Sequence, residues 1–72
     1  MTETNKIRNM MIKAAIAHAQ AHVDKHKVNL EVYLTNPVGV GDHSNIMDSI
    51  EKELDEIARY EDHLDVLRKY FL

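Results

Sequence analysis

The chain has 72 residues, 44% of them hydrophobic and 29% charged, with a formal net charge of −3. That is one domain at most, too short for a doubly wound sheet with a cofactor crevice or for a barrel. Its 9 basic residues are scattered, which excludes the clustered Lys and Arg of a nucleic-acid surface.

With no cysteine, neither a disulfide nor a thiolate metal site is available. Small scaffolds need a staple, and association with another chain is the route left open. From Met1 to Arg8 the sequence is polar, and the stretch after it is interrupted by Lys13, His18, Gln20 and His22. This predicts neither a signal peptide nor a membrane span of ~20 residues, and hence a cytoplasmic protein.

Residues 4–34 read as a first helix, about 45 Å long at ~1.5 Å per residue. One apolar stripe is Ile7, Met10, Met11, Ala14, Ala17, Ala21, Val28 and Val32. A second is Ile12, Ile16, Ala19, Val23, Leu30 and Leu34, on roughly the opposite side of the helical wheel. Val28 to Leu34 also alternates as a strand would, but nothing else in the chain offers it a strand to pair with.

Residues 35–43 read as the loop. Pro37, Gly39 and Gly41 all fall there, and Val38 and Val40 are placed to cover the end of the core. Asp42, His43 or Ser44 is expected to cap a second helix over 44–71. Its stripe is Ile46, Met47, Ile50, Leu54, Ile57, Ala58, Leu64, Leu67 and Phe71. Arg68 and Lys69 suit its C-terminal dipole.

Two helices joined by so short a loop predict an all-α, antiparallel two-helix hairpin spanning residues 1–72 as a single domain. With Val32 level with Ile46, Ala21 meets Ile57 and Ile7 meets Phe71, so the first stripe is expected to face the second helix. The other stripe would then stand exposed. Ile12, Ile16, Val23, Leu30 and Leu34 are accordingly predicted as a homo-oligomer interface, building a four-helix bundle from two hairpins. The N-terminal half holds five basic and three acidic residues and the C-terminal half four and nine, which favours their association.

Chemistry is sparse. His18, His22 and His26 are spaced by four, and two imidazoles at that spacing can share a metal ion. The alternative to a purely structural protein is therefore a metal-binding bundle using His18 and His22 with Glu61, which lies level with His18. Otherwise His22 and His26 face solvent, His18 bonds Glu61, and Lys25 pairs with Glu53. The Glu-x-x-His pattern of dimetal bundles is absent. The glycine-containing loop lacks the Lys and Ser/Thr of a phosphate loop. Ser44 and Ser49 have no evident base, and Tyr33, Tyr60 and Tyr70 read as boundary aromatics. No enzymatic activity and no cofactor is expected.

The run Asn-Leu-Glu-Val-Tyr-Leu-Thr-Asn-Pro-Val-Gly-Val-Gly-Asp-His-Ser over 29–44 continues as an acidic helix through Ile46, Ile50, Ile57 and Leu64 to Lys69-Tyr70-Phe71. Over about 29–71 the chain resembles a family of small, functionally uncharacterised proteins of myovirus-type marine bacteriophages, including cyanophages. The resemblance implies a phage accessory protein in the cytoplasm of an infected bacterium. Its partners would be a further copy of itself and, beyond that, a phage or host protein. Val28 to Leu34 would then be the end of a helix leading into the shared loop. The histidines at 18, 22 and 26 lie outside the resemblance.

Overall fold

The computed structural model describes residues 3–36 and 45–72. They form two helices, α1 (Glu3–Thr35, 33 residues) and α2 (Ile46–Tyr70, 25 residues), packed against each other along their length. Both lie within a residue or two of their predicted bounds. The stretch from Val28 to Leu34 is helical, so the period-two pattern there is overridden by the longer helix around it. The predicted loop residues Pro37, Val38, Gly39, Val40 and Gly41, and the predicted caps Asp42, His43 and Ser44, lie outside the described residues.

α2 is capped by Asn45, whose side-chain oxygen accepts a hydrogen bond from the Asp48 N–H at 3.2 Å. Asn45 thus satisfies one of the orphan donors of the first turn, and Asp48 adds a negative charge to the positive end of the dipole. Arg68 and Lys69 occupy the last turn, and the Phe71 N–H closes the helix on the Leu67 carbonyl at 3.0 Å. At the end of α1 the Asn36 N–H reaches the Val32 carbonyl at 2.9 Å.

The hairpin is antiparallel. Arg8 donates to the Phe71 carbonyl at 3.4 Å at one end, and Asn29 donates to Glu53 at 2.9 Å nearer the other. Most of the covered side chains recur in alternating steps of four and three, 12, 16, 19, 23, 26, 30 and 33 on α1 and 46, 50, 53, 57, 60, 64 and 67 on α2, with His22, Asn29, Ser49 and Glu56 beside them. That alternation is the seam of a coiled coil, in which side chains of one helix seat between those of the other. Ala19, Val23 and Leu64 are the fully buried core, with Ile16 and Tyr60 packed on it. Ala19 is small enough to bring the two backbones together where Leu64 fills the space.

This seam corrects the assignment of faces. The stripe expected to meet α2 is the one left open: Ile7, Met10, Met11, Val28 and Val32 are each at least half exposed. Met47 and Leu54 of α2 also stand exposed, while Glu53 and Tyr60 occupy the seam instead. The physical reason lies in the polar members of the seam. His26, Glu53 and Tyr60 interrupt an apolar stripe on paper, yet inside the hairpin His26 bonds Glu53, Tyr60 stacks on His22, and the three–four alternation stays unbroken.

Candidate functional site

α1 displays two heptad-spaced faces on opposite sides, and these hold most of the residues of interest. Of the five residues predicted at an oligomer interface, Val23 is fully buried against α2, and Ile12, Ile16 and Leu30 are half-buried in the same seam. Leu34, near the end of α1, is 57% exposed. The first four therefore serve the hairpin itself. The uncovered side of α1 carries Ile7, Met10, Ala14, Ala17 and Ala21, three and four residues apart, and Val28 seven residues beyond Ala21. All six belong to the apolar stripe whose spacing in the sequence points to a contact with α2.

The histidines form the second feature. His18, His22 and His26 climb the edge of the seam, one per turn, and Tyr60 of α2 sits across from them. The Tyr60 ring lies 4.3 Å from His22 between centroids, nearly parallel at 12°. It approaches His18 at 6.1 Å, His26 at 6.3 Å and, from its own helix, His63 at 5.3 Å. His18 and His22 are 4.5 Å apart. Offset and edge-on contacts at such separations are favourable between neutral rings. The Arg59 guanidinium lies 5.4 Å from the Tyr60 ring.

His26 is held by charge. Its Nδ1 lies 3.0 Å from Glu53 Oε2, and since a carboxylate can only accept, Nδ1 carries the proton and donates it. The other Glu53 oxygen accepts from Asn29 Nδ2 at 2.9 Å. Glu56 stands 3.8 Å from His26 Nε2 and 4.0 Å from Arg59. Glu53 is thus engaged by His26 and Asn29, where Lys25 had been expected.

His22 differs. Its Nδ1 is buried and has no hydrogen-bond partner. Burial first, then the positive charges of His18, Lys25 and His26, hold the His22 imidazole below its usual pKa, against a weaker opposing pull from Glu56. The expectation that His22 and His26 face water is corrected: both are half-buried, because a stack on Tyr60 and a bond to Glu53 make burial favourable. His18 and His63 are the exposed members, flanking an open groove of about 370 Å³ lined also by Ala15, Val66 and Leu67.

Glu61, the third ligand of the metal alternative, is exposed. Among the described residues no three His, Asp or Glu side chains converge in a way that could hold a metal ion. Among the same residues, no helix is long and apolar enough to cross a membrane.

Fold and site together define an all-α hairpin with a histidine–tyrosine stack on one edge and an uncovered apolar face on α1. Compared with protein-family models, curated proteins and solved structures, the chain has no match.

Proposed function

We propose that this chain is a non-enzymatic helical hairpin that self-associates through the uncovered face of α1, in a structural or protein–protein adaptor role. The observation that carries the reading is that face itself. Ile7, Ala14, Ala21 and Val28 recur every seven residues, with Met10, Ala17 and Asp24 between them, which is the spacing of a second coiled-coil seam with no described helix packed upon it. Ala14, Ala17 and Ala21 permit close approach at its centre, while Ile7, Met10, Val28 and Val32 supply apolar area toward its ends.

The surface of the chain agrees with that need. A folded protein of 8.3 kDa exposes about 4,600 Å² by the usual scaling, whereas this chain exposes 5594 Å². An elongated two-helix rod leaves such an excess in the open, and the apolar face of α1 is part of it. A second copy is the occupant that fits, because two such faces are equally apolar and equally small-centred, and pairing them yields a four-helix bundle with a shared core. The resemblance of residues 29–71 to marine phage proteins supports a setting in the cytoplasm of an infected bacterium, where the bundle would engage a phage or host protein.

Light-scattering mass of untagged protein across a concentration series tests this directly. The expected result is a mass of two or more chains, reduced to one by Ala21→Glu with helicity retained. A folded monomer throughout the series overturns the reading.

A further inference from the structure

We propose that the histidine–tyrosine stack is a proton-operated latch, closed while His22 is neutral and loosened when it takes up a proton. Three observations carry it. The stack joins the two helices beside the core, since Tyr60 packs on Ala19, Val23 and Leu64 and at the same time on His22. The ring of His22 is wedged between other titratable rings, with His18 at 4.5 Å, His26 at 6.0 Å and, beyond Tyr60, His63. And a proton added at the buried His22 Nδ1 meets no acceptor.

The surrounding charge decides the sign. On α1 the groups facing His22 are His18, Lys25 and His26. On α2 they are Glu56 and Tyr60, with Glu53, Arg59 and His63 around them on His26, Glu56 and Tyr60. Both Glu53 oxygens are already engaged, by His26 and Asn29. Glu56 is shared between His26 and Arg59. Charge arriving on His22 therefore meets Lys25 and finds the nearby carboxylates engaged elsewhere.

The lowered His22 pKa points the same way, with burial as its first cause. Between that lowered value and the ordinary 6.5, the unfolded chain binds protons that the folded hairpin does not. The stabilisation is complete above 6.5, falls as pH drops through it, and is fully lost below the folded value.

Thermal unfolding followed by circular dichroism, at fixed concentration and at about pH 7.5 and about pH 5.5, tests the latch; both lie above the carboxylate range, so histidines dominate the difference. The melting temperature of the unsubstituted chain should fall by about 4 °C or more at the lower pH. His22→Phe keeps a ring on Tyr60 and removes the titration, and should lose less than half as much. An unchanged or higher melting temperature at the lower pH overturns the proposal, as does an equal fall in His22→Phe. If that variant does not fold, an NMR titration of the His22 ring in the unsubstituted chain decides: a midpoint below 6.5 supports the latch, and one at or above 6.5 overturns it.

Discussion

Leu64 shows how much depends on single side chains here. Among the described residues it is one of three that are fully buried, so its methyl groups are a large share of the apolar volume removed from water. Leu64→Ala should cost about 2–4 kcal/mol. Total stability is on the order of 5–15 kcal/mol for ordinary domains, and a two-helix chain has little to spare. Val66, two residues away and exposed, is the control: Val66→Ala should stay within about 0.5 kcal/mol. Urea unfolding of the two variants measures both numbers. Glu53 belongs to the same scale of argument. A half-buried carboxylate is costly unless each oxygen is met, and His26 and Asn29 meet them.

At the level of the helices, α2 is the more self-sufficient element. It has a capping side chain, an acid in the first turn and two bases in the last. Asn45→Ala should lower stability by about 1 kcal/mol, read by chemical denaturation, and helicity at the start of α2 should fall with it. Both helices and their antiparallel order were legible in the sequence, because apolar spacing and the Pro/Gly cluster speak directly to local structure. The cap was misplaced by one to three residues, since Asp, His, Ser and Asn stand in a row and each but His is a good candidate. The faces of α1 were not legible. A helix apolar on two sides gives no internal reason to prefer one, and the choice turns on cross-helix partners. The winning seam includes His26, Glu53 and Tyr60, which a count of apolar residues discards. Only when Glu53 is seen to meet His26, and Tyr60 to meet His22, does the three–four alternation on both helices become visible. For the histidines the signal present was the spacing by four. Their stacking on an aromatic of the other helix depended on register and left no separate mark.

For the whole molecule, the two faces of α1 predict opposite outcomes for two acidic substitutions. Ile16→Asp places a charge in the seam beside the core and should collapse helicity and mass together. Ala21→Glu places one on the uncovered face and should leave the circular dichroism spectrum unchanged while the mass falls to one chain. Measuring both signals on both variants separates the surface that folds the chain from the surface that assembles it. The molecule measures 55 × 17 × 15 Å, with a radius of gyration of 16.6 Å, against about 11 Å for a compact domain of this length. A rod of that kind has one line of contact and no second layer to reinforce it.

Ala19, Val23 and Leu64 lie near the middle of that line. Toward its two ends the seam side chains are only half-buried, Ile12 and Leu67 at one end and Tyr33 and Ile46 at the other. Amide hydrogen exchange should therefore be slowest around Ala19–Val23 and Leu64 and quicken toward both ends, as an array that frays inward from its termini. Flat protection along α1 would mean that the molecule opens all at once. A graded profile would mean that the outer turns visit open forms far more often than the centre, and that a protease would trim the hairpin long before cutting it in two.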